Sequence, residues 1–214
     1  MTLPTEFVQI PKAISNYDFT DLASGTAYQL FYMADTASGS YLVDNAIYSS
    51  PVDTSDTSTA TTGWRKLTDK TFEVTFKKPQ DIKGDLITSM PIYMLPGGGD
   101  TSQGRFITTI KKDSGGSITD IMSGTSAILN SAAGTEKQGA ISQTFTISSL
   151  THFAIDDKLK IRSEGWGNTG GSNTVKIGHA HDPKNRASDP FDTSAITWTI
   201  DTISQALVPF RIDI

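Results

Sequence analysis

The amino-acid sequence predicts an all-β protein, an antiparallel β-sandwich of the jelly-roll type with an extended amino-terminal arm. Ser and Thr account for 52 of the 214 residues, beside 18 Gly and 9 Pro, while runs of strong helix formers are almost absent. Apolar and polar residues alternate over short segments, as they do in half-buried strands. These segments recur roughly every ten to fifteen residues, which is typical of strands and turns in a sandwich.

The first 16 residues are predicted to form the extended arm. Pro4 and Pro11 interrupt this stretch, which shows no sustained periodicity. Arms of this kind often contact a neighbouring subunit. The rest of the chain, residues 17–214, is long enough to bury one substantial core, so we expect a single domain there.

The first strands differ in polarity from the segment that follows them. Thr26 to Met33 is apolar and aromatic on both faces, which predicts a strand buried in the sandwich or at a subunit contact. Tyr41 to Tyr48 is the second candidate strand. Ser49 to Gly63 contains too few apolar residues to pack well and is predicted to be a long surface loop.

The clearest alternation places Phe72, Val74 and Phe76 on one face of a half-buried strand. The next strand region is Ile82 to Leu95. Because proline cannot donate a backbone hydrogen bond, Pro91 predicts an edge strand or a bulge there.

A hairpin is predicted in the second half, with Arg105–Lys112 pairing to Ile118–Ser123 across the turn 113–116, which contains two glycines. The small residues from Ser126 to Ala133 predict a helical turn. Further strands are indicated by alternating apolar residues at Phe145 and Ile147, Leu159 and Ile161, Val175 and Ile177, Ile196, Trp198 and Ile200, and Val208 to Ile214.

Composition excludes several kinds of chemistry and partner. The chain has no cysteine, so it forms neither disulfides nor thiolate metal sites. Its net charge of −5 is spread along the chain without a basic run, which argues against a nucleic-acid partner. The sequence shows neither a signal-peptide pattern nor an apolar stretch of about 18 residues, so we expect synthesis in the cytoplasm and no membrane insertion.

The segment His179-Ala-His181-Asp182 is the candidate metal site. Two histidines at i and i+2 of a strand point to one face and can chelate a metal, with His152 as the third histidine of the chain. The alternative is a strand end followed by a loop. Cupin enzymes share a His-x-His pair, so a cupin-like metalloenzyme is one alternative, although the downstream Glu and second motif of cupins are missing.

Trp64 and Trp166 are the candidate ligand-binding residues. Both lie beside glycines, which favours exposure, whereas Trp198 alternates with Ile196 and Ile200 and is predicted to lie in the core. An exposed tryptophan face stacks on sugar rings, but it also fills subunit contacts. A carbohydrate-binding or receptor-binding module is therefore the other alternative function.

No recognised catalytic signature occurs in the sequence. The motif Gly-x-Ser-x-Gly is missing, and the glycines at 97–99 and 170–171 lack the Lys and Ser or Thr of a phosphate loop. We therefore expect a protein that is not an enzyme, with no catalytic residue and no cofactor.

Four segments resemble jelly-roll structural proteins of tailed viruses of bacteria and archaea. They are Leu150–Gly167, His181–Arg186, Val208–Ile214 and Asn16–Gly25. In the first segment, an acidic turn leads into a strand written Leu-x-Ile, and Asp156 stands where glycine is more usual in those proteins.

This resemblance implies a virion structural protein, such as a capsid-associated, decoration or spike component. Its partners would be copies of itself, as a trimer or a pentamer, and other virion proteins, and it would be located in the virion after synthesis in the host cytoplasm. A host glycan is the further partner that this interpretation suggests.

Overall fold

The protein is all-β, which confirms the predicted fold class. The computed structural model describes residues 26–36, 39–44, 53–58, 63–97, 101–135, 137–169, 174–180 and 204–211, with the backbone alone for 36, 53–58, 179 and 180. The predicted arm, residues 1–16, lies outside the described residues, and the jelly-roll connectivity remains a prediction.

The described residues form twelve strands, which in chain order are β1 (Thr26–Thr36), β2 (Gly39–Val43), β3 (Asp53–Ser58), β4 (Arg65–Thr75), β5 (Gln80–Pro96), β6 (Ser102–Ser114), β7 (Ser117–Thr125), β8 (Leu129–Ser131), β9 (Lys137–Phe153), β10 (Lys158–Thr169), β11 (Val175–Ala180) and β12 (Gln205–Arg211).

Hydrogen bonding joins the strands into one mixed sheet with two halves, as expected for a β-sandwich. The front layer contains β4, β10, β6 and β7, with β8 paired to β6. The back layer contains β2, β1, β12, β5 and β9, with β11 and β3 continuing from β5. A single parallel pair, Tyr41 with Glu73, connects the halves.

Side chains from the two layers meet in one hydrophobic core. Every second residue of β10 is buried, from Leu159 to Thr169, as expected for a strand with one face inward. Ser163 Oγ lies 3.3 Å from Met90 Sδ on β5. Phe76, just after β4, packs edge-to-face on Phe153 at 5.1 Å between ring centroids. The alternation predicted from the sequence therefore marks the buried face.

Two glycines of β10 allow the layers to approach closely. A Cβ atom on Gly167 would lie 2.6 Å from Val175 and 2.7 Å from Leu67. A Cβ atom on Gly165 would lie 2.5 Å from Thr68 Oγ1. The glycines beside Trp166 therefore serve inward packing, and they are part of a strand and not of an exposed loop.

Strand β5 is central and not an edge, so the prediction from Pro91 is wrong on this point. Over its 17 residues β5 pairs with β9 along one side and with β12 and β11 along the other. Its pairing with β12 reaches Ser89, and its pairing with β11 starts at Ile92. Pro91 falls between the two, where the missing N–H is tolerated.

The predicted hairpin is confirmed as β6 and β7. Ser114 pairs with Ser117, and the two turn residues, Gly115 and Gly116, have φ angles of 59° and 94°. Such left-handed values favour glycine. Asp113 Oδ1 accepts a 2.8 Å hydrogen bond from the Gly116 N–H, which closes the turn.

The turn between β9 and β10 contains a residue in the left-handed region. Asp156 has a φ of 67°, which aspartate tolerates better than most residues that carry a side chain. The next residue, Asp157, accepts a 2.8 Å hydrogen bond from the Ala154 N–H and lies 3.1 Å from Lys112 Nζ. These contacts lower the pKa of Asp157, the Ala154 hydrogen bond most strongly.

Two local predictions are wrong. Strand β3 lies within the segment 49–63, which was predicted to be a loop, because its backbone pairs with β11 from Asp53 to Ser58. The segment 126–133 was predicted to form a helical turn, but it contains β8, which pairs with β6. In both cases the partner strand supplies the backbone hydrogen bonds that local composition does not indicate.

Candidate functional site: a charged face and an open side

The outward side chains of β4, β10 and β6 form a charged face. They alternate with the buried residues of the same strands. The face contains one group of charges around Arg162 and a second around Lys160. At its end nearest Trp166 it also carries tryptophan and amide side chains.

Arg162 holds two carboxylates in the first group. Its guanidinium donates to Asp69 through Nε at 2.8 Å and through the terminal nitrogen at 2.5 Å, and it lies 2.7 Å from Glu164. Lys66 also contacts Asp69 at 2.7 Å. The hydrogen bond from Arg162 is the main cause that lowers the pKa of Asp69 to about 2, against the opposing effect of burial.

The second group continues the alternation of charge. Lys160 Nζ lies 2.7 Å from Asp113 and 3.4 Å from Glu73, and Lys158 Nζ lies 2.6 Å from Glu73. The Lys160 hydrogen bond, together with the Gly116 N–H, lowers the pKa of Asp113. Burial opposes ionisation of Glu73, but the two lysines more than offset it and lower its pKa.

Trp64, Arg105 and Trp166 form the tryptophan cluster of this face. Trp166 on β10 is in register with Lys66 on β4 and with Arg105 on β6. The Arg105 guanidinium carbon lies 4.1 Å from the centre of the Trp64 ring. Trp64 lies just before β4, and β10 lies between β4 and β6 in the sheet. The contact between Arg105 and Trp64 therefore crosses β10 next to Trp166. The structure therefore brings both predicted ligand-binding tryptophans together.

A row of amide side chains borders the tryptophan cluster. Asn168 Oδ1 accepts a hydrogen bond from the Gly63 N–H at 3.1 Å, and Asn168 Nδ2 donates to Gln103 Oε1 at 3.1 Å. Gln103 Nε2 then donates to Asn130 Oδ1 at 3.0 Å. Each amide has two N–H donors, so each keeps unused donor capacity beside the cluster.

Arg105 differs from the other basic residues that point outward on this face. Lys66, Lys111, Lys158, Lys160 and Arg162 all contact carboxylates. Within the part of the chain that the structure describes, Arg105 makes no ion pair, and its buried Nε has no hydrogen-bond partner. Its guanidinium is therefore positioned by an aromatic ring without being neutralised.

One side of the sandwich is open between β7 and β9. In the described ranges β7 pairs only with β6 and β9 only with β5, so each has one free edge. Gln143 closes one end of this side, accepting from Thr108 Oγ1 at 2.7 Å and donating to the Gly124 carbonyl at 3.2 Å.

Beyond Gln143 the two edges separate and enclose a groove of about 330 Å³. Two exposed aliphatic residues adjoin it, Ile118 and Leu150, each 54% accessible to solvent. The groove is lined by Lys112, Thr119, Asp120, Ile121, Met122, Ile147, Ser148, Ser149 and Thr151.

The predicted metal site falls mostly outside the described residues. His179 lies on β11 in register with Ile92, but its side chain is not described, nor are His181 and Asp182. His152 is exposed, and its Nδ1 lies 2.6 Å from Asp81. No group of three or more potential metal ligands occurs in the described ranges. Trp198 also lies outside them.

Sequence reasoning missed Arg105, Gln103 and Asn168. Each belongs to the site only because β6 pairs with β10 over residues far apart in the chain. The alternation of polar residues in β6 and β10 was the one signal that could have placed them on a common outward face. Strand pairing itself cannot be obtained from that alternation.

Only the comparison with solved structures found a match. No family model and no curated protein matches the sequence. A CocE/NonD family hydrolase from Staphylococcus aureus aligns over 87% of this chain, with a TM-score of 0.54 and 13% identity. An aminopeptidase from a marine sediment Thaumarchaeota archaeon aligns over 88%, with a TM-score of 0.51 and 7% identity.

In both cases this chain covers 37% of the other chain, so it spans little more than a third of these enzymes. An infectious bursal disease virus structure also aligns over 87% of this chain, but its TM-score of 0.29 is too low to support an argument. The described residues contain no helix long and apolar enough to cross a membrane.

The expectation that the chain is not an enzyme is contradicted by these comparisons. Two solved structures that align with TM-scores above 0.5 are a hydrolase and an aminopeptidase. The expectation failed because it relied on missing local motifs, whereas a β-sandwich without such motifs can form part of a larger catalytic chain.

Proposed function

We propose that the chain is a structural component of a virion, a capsid-associated, decoration or spike protein that assembles through its open side. The resemblance of four sequence segments to such proteins supports the virion context. The open side between β7 and β9 supports assembly, because free strand edges and a groove with three apolar lining residues offer both backbone and side-chain contacts to another copy.

The observation that carries the proposal is the composition of β9. Between Lys137 and His152 this strand contains no charged residue, although its outer edge has no partner in the described part of the chain. Edge strands that avoid pairing usually carry lysine, proline or a bulge. The register of β9 against β5 shifts only beyond Ile147, so the uncharged free edge from Gln138 to Ile147 favours pairing with a second strand.

The groove adds a side-chain contribution to the same contact. Ile121, Met122 and Ile147 line it, and Ile118 and Leu150, which are next in the chain to lining residues, are more than half exposed. Burial of such residues by a second copy stabilises association by about 25 cal/mol per Å² of apolar surface. An ordinary stable contact buries roughly 800 Å² per partner.

The test is the molar mass in solution of the wild type and of the double variant Thr144→Lys, Ser148→Lys. We expect the wild type to form a trimer or a pentamer and the variant to be monomeric, because two lysines on the edge strand oppose pairing. Light scattering after size-exclusion chromatography measures both. Thr101→Lys, at an exposed residue just before β6, is the matched control and should assemble normally.

A wild type that stays monomeric at millimolar concentration would contradict assembly through this side. So would a double variant that assembles as the wild type does. Imaging of purified particles with an antibody against the chain tests the virion context separately, and absence of label from intact particles would exclude it.

A second candidate function is the β domain of a larger hydrolase. It is favoured by the alignment of nearly all of this chain with 37% of a hydrolase chain and 37% of an aminopeptidase chain. This candidate predicts a native polypeptide well above the 23.0 kDa of the chain. An immunoblot of the native source measures that mass, and a band at 23.0 kDa would exclude the candidate.

A further inference from the structure

We infer that the tryptophan cluster binds an acidic oligosaccharide, with Trp166 as the stacking platform and Arg105 as the anchor for a sugar carboxylate. This inference goes beyond the assembly role, since the cluster lies on the charged face and uses neither β9 nor the groove. Three features of the cluster support it: the fixed ring of Trp166, the cation of Arg105, and the amide row.

Trp166 is fixed in a position suited to stacking. It lies on the middle strand of three, between Lys66 and Arg105 in the pairing register, and it is only half-buried. Its indole Nε1 donates a long hydrogen bond of 3.4 Å to Glu164, which restrains the ring. A tryptophan face offers a large apolar surface with a polar edge, which complements the apolar C–H face of a pyranose ring.

Arg105 is prepared to bind an anion. Stacking on Trp64 at 4.1 Å holds the planar guanidinium in one orientation, so little side-chain entropy is lost when a ligand binds. In the described ranges no protein carboxylate neutralises it, unlike the neighbouring Lys66 and Arg162. A guanidinium binds a carboxylate through two parallel N–H···O bonds, which gives both affinity and orientation.

The amide row supplies partners for sugar hydroxyl groups. Within the row, Asn168 donates one amide N–H to Gln103, and Gln103 donates one to Asn130. The remaining amide N–H donors border the cluster. A hydroxyl group both donates and accepts, so it can bridge neighbouring amides. The combination of aromatic ring, cation and amides is therefore matched by a sugar that carries hydroxyl groups and a carboxylate.

The charge pattern favours an acidic sugar over a nucleic acid, whose bases could also stack on tryptophan. A nucleic-acid backbone carries a phosphate on every nucleotide, and proteins that bind it present several cations along the strand. Here Arg105 makes no ion pair within the described ranges, and Glu164 lies beside Trp166 with Asp69 next to it. A ligand with isolated carboxylates brings fewer negative charges near Asp69 and Glu164 than a nucleic acid does.

The experiment is a titration of the full chain, followed by tryptophan fluorescence and by calorimetry. The acidic probes are hexasaccharides of galacturonate, alginate and hyaluronan, together with sialyllactose. Cellohexaose is the neutral probe, and a thymidine oligonucleotide is the nucleic-acid probe. We expect saturable binding of at least one acidic probe, and affinity for cellohexaose weaker by about tenfold or more, because the charge-assisted hydrogen bonds are lost.

Variants assign the roles. Trp166→Ala should weaken binding of the acidic probe by about tenfold or more through loss of stacking. Arg105→Gln should do the same and should abolish the preference over cellohexaose. Lys111→Gln is the matched control, because it removes a cation of the same face that is already paired with Asp120, and it should bind as the wild type does. Thermal unfolding checks that each variant folds.

The inference is overturned if no acidic probe binds saturably, if Arg105→Gln binds as tightly as the wild type, or if cellohexaose or the oligonucleotide binds as well as the acidic probes. Repeating the titration with the Thr144→Lys, Ser148→Lys variant separates this inference from the assembly proposal. Undiminished binding by that variant is expected, since the cluster and β9 lie on different surfaces.

Discussion

The charged face and the free edge of β9 are two surfaces of one sandwich, and they satisfy their polar groups in opposite ways. On the charged face, side chains neutralise one another across three paired strands, as Arg162 does with Asp69 and Glu164. On β9 the side chains carry no charge from Gln138 to Thr151, and in the described ranges the outer edge pairs with no other strand. The first surface stabilises the folded chain, and the second is open to another chain.

Because of this difference, the two surfaces are expected to respond to different solution conditions. Ion pairs that are partly exposed weaken with salt and with protonation of the carboxylates. Backbone pairing and apolar burial at the β9 side depend little on either. Changes in packing, charge, pH and turn conformation therefore test whether the two surfaces respond independently.

The largest effect is expected beneath the charged face, at Gly167→Ala. The added Cβ would lie within 2.7 Å of Val175 and Leu67, so the layers must separate, at a cost of about 1–3 kcal/mol. Gly139→Ala on β9 is the matched control, because its Cβ meets nothing within 4 Å. Chemical denaturation measures both. Equal stability of the two variants would mean that the layers are not closely packed at Gly167.

A smaller effect is expected for Arg162→Met, which removes the cation shared by two carboxylates. Lys66 alone then faces Asp69 and Glu164, and we expect a loss of about 1 kcal/mol in the free energy of unfolding. Lys77→Met breaks an exposed pair with Asp156 and should change stability by less than about 0.5 kcal/mol. A loss of the same size in both variants would contradict a special role for the Arg162 group.

Acid should weaken the charged face. The pKa of Asp69 is about 2 in the folded chain, below its ordinary value of 3.8, so the unfolded chain binds the proton more readily. The stabilisation by Asp69 is therefore complete above about pH 4 and is lost as the pH falls towards 2. Melting temperatures of the wild type and of Asp69→Asn across this range measure it. The variant should lose less stability than the wild type does between pH 4 and pH 2, and parallel curves would exclude Asp69 as a source.

The smallest effect is expected in the turn between the surfaces, for Asp156→Gly. A φ of 67° strains a residue with a side chain, and glycine relieves that strain by up to about 1 kcal/mol. The greater freedom of glycine in the unfolded chain offsets part of this gain. A net rise of about 0.5 kcal/mol in the free energy of unfolding is expected. A decrease would show that the exposed contact with Lys77 outweighs the strain.

Part of the site could be predicted from the sequence. Trp64 and Trp166 were selected because they lie beside glycines, and the structure does place both on one face. The reason given was incomplete, because Gly165 and Gly167 point inward and allow the layers to approach. Arg105 and the amide row could not be predicted, since their proximity to the tryptophans depends on pairing between residues of β6 and β10 that are more than sixty positions apart in the chain.

The sequence by itself determined the all-β class, the buried face of the alternating strands that the structure describes and the β6–β7 hairpin, because side-chain periodicity and turn residues act locally. Only the tertiary structure decided which strands are central and which have free edges. It made β5 internal despite Pro91 and recruited the polar β3 into the sheet. The physical reason is that backbone hydrogen bonds in a sheet are made to a partner strand, and nothing in the residues of one strand specifies that partner.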